Sequence, residues 1–140
     1  MITYVDTSTL IKLIVDEEGS ERAELIWHSA DSLASIRLIV VEARAALAAA
    51  ACSNRISADQ LHMAKAELAP FVDDLHLVEV TQDLIESAAQ LAETESLRGY
   101  DAVHLAAALF VDAAVLTSAD QTLCEAADRQ GLHIADPLTI

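Results

Sequence analysis

Short apolar runs alternate along the chain with longer stretches in which apolar residues recur every three or four positions, the mark of strands separated by amphipathic helices. Ile2, Thr3, Tyr4 and Val5 read as a first strand, and Leu10, Ile11, Leu13, Ile14 and Val15 predict a helix directly after it. A charged turn, Asp16 to Gly19, leads into a second helix over 20–29 with Ala23, Ile26 and Trp27 inward. A short strand is expected over 32–35. A third helix is expected over 37–54, where Ile39, Ala43, Ala46 and Ala50 share a face. Ser57 and Gln60 have capping-box spacing for a fourth helix reaching residue 74, weakened by Pro70. Residues 77–80 read as a strand, Thr81 caps a fifth helix ending near 96, and Arg98-Gly99 turns into a strongly apolar sixth helix. Residues 113–116 form a buried strand, a seventh helix stops at Gly131, and 132–134 form the last strand. Strands alternating with helices imply parallel crossovers and a sheet covered on both faces, in one domain over 1–140.

Composition narrows the picture. Hydrophobic residues make up 54% of the 140 residues, with three Gly and two Pro, so loops should be short and helices many. The most apolar region, Ala102 to Leu116, is broken by His104 and Asp112, which argues against a membrane span, and no basic-then-apolar leader opens the chain. Cys52 and Cys124 make no disulfide framework; buried thiols in a reducing, cytoplasmic setting are expected. The net charge of −15 speaks against broad binding of nucleic-acid backbone by surface Lys and Arg. It leaves open an enzyme that meets phosphate through a divalent metal, and it favours a basic protein partner. Arg37, Arg44 and Arg55 fall within about 20° of one another on the third helix, nearly opposite Glu42, and read as a solvated stripe.

Four carboxylates stand in telling places. Asp6 ends the first strand, at the sheet edge where ligands collect in open parallel sheets, although Asp and Thr there also cap helices. Glu42 sits on an apolar stripe between Leu38, Ile39, Ala45 and Ala46, which calls for a buried ion pair or a shared acidic site. Asp101 lies in the first turn of the sixth helix, where the dipole favours an anion, with His104 one turn on as a packed or hydrogen-bonded neighbour. Asp120 follows the late strand. One arrangement explains all four: convergence on one pocket. Two carboxylates about 4 Å apart repel by roughly 4 kcal/mol at an effective dielectric near 20, so protons or cations must intervene. Mg²⁺ or Mn²⁺ suits such an oxygen donor set, whereas no His and Cys have zinc spacing. Ser8, Thr117 and Ser118 are placed to support the carboxylates or bind water. No Ser, His and acid stand in a triad-like context.

Tyr4-Val5-Asp6-Thr7-Ser8, the inward Glu42, Asp101-Ala102-Val103-His104-Leu105-Ala106 and Ser118-Ala119-Asp120 together resemble PIN-domain ribonucleases, and among them the VapC toxins of prokaryotic toxin–antitoxin pairs. The resemblance covers nearly the whole chain. It implies a three-layer α/β/α sandwich with a central parallel sheet, and a Mg²⁺- or Mn²⁺-dependent endoribonuclease that uses metal-activated water. It also implies a homodimer, a VapB-type antitoxin, and a tRNA, rRNA or mRNA substrate. Asp6, Glu42, Asp101 and Asp120 match the family's acidic metal site; Ser118 stands where the family often has Thr, keeping the hydroxyl. RNA would need a locally favourable path into so acidic a chain, with Lys12, Arg98 or a second copy's arginines as candidates.

Two other classes compete. A phospho-accepting receiver domain also has an acidic Mg²⁺ pocket, but it needs adjacent acids after the first strand and a Lys after a late one; Thr117, Ser118 and Ala119 stand there instead. A non-catalytic acidic interaction module with the same fold is disfavoured by the presence of all four carboxylates.

Overall fold

The first strand, β1 (Ile2–Val5), forms the middle of the molecule because it is apolar on both sides: Tyr4 and Val5 are fully buried, and they face opposite layers of the core. The computed structural model describes residues 1–139; Ile140, the end of the expected domain, lies outside them. The chain continues through α1 (Thr7–Lys12), α2 (Ser20–Ser29), β2 (Ser32–Ile36), α3 (Ile39–Cys52), α4 (Ala58–Asp73), β3 (His76–Val78), α5 (Gln82–Thr94), α6 (Gly99–Phe110), β4 (Val115–Thr117), α7 (Gln121–Arg129) and β5 (His133–Ala135). All strand pairs are parallel, in the order β3-β2-β1-β4-β5. The sheet carries helices on both faces, as expected. Val5, Leu10, Trp27, Ile39, Ala43 and Leu68 join α1 to α4 on one face; Tyr4, Leu84, Ala102, Leu105 and Leu123 join α5 to α7 on the other.

The strand order runs outward from β1 through β2 and β3, then returns to place β4 against the other side of β1. The crevice at the carboxyl ends of β1 and β4 is therefore the topological switch point, the place such sheets use for ligands. Register brings the two ends level: Val5 pairs with Thr117, and the Asp6 amide extends the ladder to the Thr117 carbonyl at 3.0 Å. Asp6 and Ser118 thus leave the sheet side by side.

Most element boundaries agree with the pattern to within a few residues. The capping box is present, with Ser57 Oγ accepting from the Gln60 amide at 3.1 Å and Gln60 Oε1 accepting from the Ser57 amide at 2.7 Å. Three expectations are corrected. The arginine stripe does not exist, because α3 is shorter than its apolar spacing suggests. Arg37 lies before α3, its amide bound to the Val78 carbonyl at 2.9 Å and its guanidinium paired with Glu79 at 2.7 Å. Arg55 lies beyond the left-handed Asn54 (φ 60°) that follows the helix, so only Arg44 remains on α3. Secondly, Cys52 is exposed, being at the α3 terminus, whereas Cys124 is buried as expected. Thirdly, α1 stops at Lys12; Leu13 and Ile14 turn through three-residue hydrogen bonds to Leu10 and Ile11, still packing on the apolar face.

Candidate active site

Asp6 is the innermost group. It occupies the N-cap position of α1, yet its side chain caps nothing. Instead, Oδ2 accepts hydrogen bonds from Ser8 Oγ at 2.8 Å and Ser118 Oγ at 2.7 Å. Ser8 Oγ accepts in turn from the Ala119 amide at 2.9 Å, and Ser118 Oγ from the Asp120 amide at 3.0 Å. The two serines therefore lace the end of β1 to the end of β4 and fix the Asp6 carboxylate, which is 7% exposed.

Glu42, in the first turn of α3, turns toward the sheet as its apolar neighbours required. Its partner is His104, one turn into α6, with Nε2 2.7 Å from Glu42 Oε1 and 3.3 Å from Asp6 Oδ1. His104 is 1% exposed, and its Nδ1 lies 2.8 Å from the Tyr4 hydroxyl. That hydroxyl accepts from the Ile36 amide at 3.1 Å. The roles at Nδ1 follow the charge of the ring: a neutral ring protonated on Nε2 accepts there from Tyr4, and the imidazolium donates there. Burial opposes the imidazolium, but the Glu42 hydrogen bond and the charges of Asp6, Glu42 and Asp101 outweigh it and hold the His104 pKa above the ordinary histidine value. Burial pushes the Tyr4 phenol well above its usual range, so it keeps its proton.

Asp101 and Asp120 form the outer half. Asp101 lies in the first turn of α6, largely buried; burial, with the charges of Asp120 and Asp6, raises its pKa against the lowering by the adjoining Arg98. Asp120 caps α7 with Oδ1, which accepts from the Leu123 amide at 3.2 Å, and keeps Oδ2 free of that duty. Arg98, the residue before α6, joins the pair: Nε is 3.1 Å from Asp101 Oδ2 and Nη2 is 3.0 Å from Asp120 Oδ2. Its side chain is 81% exposed at the mouth of the site.

The structure thus brings all four expected carboxylates to one edge, linked through His104, Arg98 and Ser118. Ser8 and Ser118 support Asp6 as expected. Thr117 does not: its buried hydroxyl turns to Thr9 Oγ1 at 3.0 Å and ties α1 to β4. Lys12 is no path for RNA either, since it is buried and paired with Glu17 at 3.0 Å. The cations that offset the crowded acids come from the chain itself, and sequence reasoning missed both assignments. Glu42 on an apolar stripe signalled a partner, but that partner lies 62 residues away. Cys124, whose sulfhydryl donates to the Ser118 carbonyl at 3.3 Å, is pushed up to about 12 chiefly by burial and is no nucleophile at neutral pH.

The donor set fits a hard divalent cation, being carboxylate oxygen throughout. Among the described residues no three His, Cys, Asp or Glu side chains converge as a ready-made metal site. His104 pairs with Asp6 Oδ1 and Glu42 Oε1, and Arg98 with Asp101 Oδ2 and Asp120 Oδ2.

Residues 3–129 match the family model for the PIN domain. The chain is 38% identical over 136 residues to Ribonuclease VapC45 of Mycobacterium tuberculosis (strain CDC 1551 / Oshkosh), with 96% of this chain and 94% of the relative covered. The same values hold for Ribonuclease VapC49 of Mycobacterium tuberculosis (strain ATCC 25618 / H37Rv). In three dimensions it is similar to the crystal structure of PAE2754 from Pyrobaculum aerophilum, with a TM-score of 0.72 at 22% identity, covering 96% of this chain and 84% of that one. No helix among the described residues is long and apolar enough to cross a membrane.

Proposed function

From the premise that the chain belongs to the PIN-domain family, among its VapC-type ribonucleases, we propose that it is a Mg²⁺- or Mn²⁺-dependent endoribonuclease and the toxin of a toxin–antitoxin pair. The observation that carries this reading is the assembly of Asp6, Glu42, Asp101 and Asp120, from four separate elements, at the switch point of the sheet. Structural need does not explain it: none of Asp6, Glu42 and Asp101 caps a helix, and together they crowd like charges in a half-buried crevice.

Asp6 and Asp101 would hold the principal cation, with Glu42 and Asp120 binding directly or through water. Such a cation supplies Lewis acidity at a phosphodiester and lowers the pKa of water. The chain's own groups do the positioning. Ser8 and Ser118 immobilise one oxygen of Asp6, while the other lies 3.3 Å from His104 Nε2. His104, locked by Tyr4, sets the rotamer of Glu42. Asp120 is kept in place by its capping bond to α7. Arg98 is the exposed cation at the mouth, where an RNA phosphate would arrive.

The substrate is RNA, of the tRNA, rRNA or mRNA class. The neutralising partner is a basic VapB-type antitoxin, which the −15 charge would draw in by long-range attraction. Leu109 and Phe110, exposed along an apolar groove between α5 and α6, support a homodimer. Toxin, antitoxin and RNA would meet in the cytoplasm. Induced expression of wild type and Asp6→Asn, with mapping of cleaved RNA ends, tests the function. Cleavage at defined sites by wild type and none by the variant is expected; equal cleavage by both contradicts it.

A further inference from the structure

Arg98 is the residue before α6, at the mouth of the site. Its side chain is 81% exposed, yet its fork spans two carboxylates on different elements, Nε on Asp101 and Nη2 on Asp120. These acids are the outer members of the cation site proposed above. The inner members, Asp6 and Glu42, are balanced by His104, which is 1% exposed and hydrogen-bonded on both ring nitrogens. One counterion is therefore fixed in the core, while the other is an exposed side chain held by two charge contacts.

We propose that Arg98 is an exchangeable counterion: it bridges Asp101 and Asp120 when no divalent cation is present and is displaced when one binds. The inference rests on the metal-dependent reading of the site. Three observations carry it. Among the described residues, Asp101 Oδ2 and Asp120 Oδ2 are each hydrogen-bonded to Arg98 and to no other side chain. The second Asp120 oxygen is engaged by the Leu123 amide, so a cation recruiting Asp120 has Oδ2 to compete for. An ion pair made by a side chain as exposed as Arg98 contributes little free energy and is screened by salt, so a divalent cation has little to displace. Lys at this position would carry the charge but lacks the two-pronged geometry that reaches both acids at once. The chain's own arginine thereby sets the metal concentration at which the site fills.

Calorimetric titration of Mg²⁺ and Mn²⁺ into wild type, Arg98→Gln and Arg98→Lys tests this, with circular dichroism confirming that each variant folds. Arg98→Gln should bind about two- to fivefold more tightly than wild type, the range expected for removal of an exposed competing pair. Arg98→Lys should fall between them. In parallel, the Arg98 Nε–H resonance of wild type, protected by Asp101, should move toward the position of a free guanidinium as Mg²⁺ is added. Binding that is equally tight in all three proteins, or an Arg98 resonance that stays put while Mg²⁺ binds, overturns the exchange and leaves the metal reading standing. Absence of binding to every protein contradicts the metal reading and this inference with it.

Discussion

The site solves one electrostatic problem twice. Asp6 and Glu42 share His104, which is sealed under the sheet edge and held by Tyr4. Asp101 and Asp120 share Arg98, which lies almost wholly in water. Removing the inner counterion strands buried charges, a costly event. Removing the outer one takes away a side chain that is itself 81% exposed, and ion pairs of exposed side chains contribute little. The difference teaches that the inner counterion is part of the fold's architecture, whereas the outer one is the counterion on which the proposed exchange acts.

The largest expected effect falls on activity. Asp6→Asn and Asp101→Asn should each lower RNA cleavage by about 100-fold or more, beyond what loss of a supporting partner costs. Rates measured on one RNA at saturating Mg²⁺ check this. Full activity in either variant would break the link between carboxylates and chemistry.

Next comes stability, where the two halves should part company. His104→Ala leaves Tyr4, Glu42 and Asp6 without their shared partner and should cost about 2–4 kcal/mol of unfolding free energy. Arg98→Gln should leave the thermal midpoint of the metal-free protein close to wild type. Chemical denaturation of both variants measures the contrast; equal destabilisation would erase the distinction between inner and outer counterion. Tyr4→Phe is milder: it removes the hydroxyl bonded to His104 and the Ile36 amide, and about 1–2 kcal/mol is expected.

The smallest effect is a pH dependence. Because the folded protein holds the His104 pKa above its ordinary value of 6.5, the charged ring favours the native state. That contribution is complete below about pH 6.5 and is lost as pH rises through the folded pKa. The gap in thermal midpoint between metal-free wild type and His104→Gln should therefore narrow from pH 6 to pH 9. A gap that widens over that interval would reverse the sign and refute the raised pKa.

Legibility in the sequence followed the range of the interaction. Local rules found the Ser57–Gln60 box, the Thr81 cap and the strand that ends at Asp6, because each involves residues within a few positions. Periodicity showed that Glu42 faced inward, since an apolar stripe defines a side of the helix. It could not name His104, 62 positions on, or show that Tyr4 reaches across from β1 to hold that ring. The arginine stripe failed for a related reason. Helical spacing continued through Arg37, but the Arg37 amide was claimed by Val78 on the neighbouring strand, an exchange of backbone partners that side-chain pattern does not encode. Thr117 was placed correctly at the end of β4; its buried hydroxyl went to Thr9 because α1 packs there.

The central claim is that residues scattered from position 6 to position 120 make one divalent-cation site. Crystals soaked in Mn²⁺ and measured at the manganese absorption edge test it most directly. An anomalous peak between Asp6 and Asp101, lost in Asp6→Asn crystals, is the result expected. A peak confined to other surface acids, or none at a Mn²⁺ concentration that supports cleavage, would contradict it.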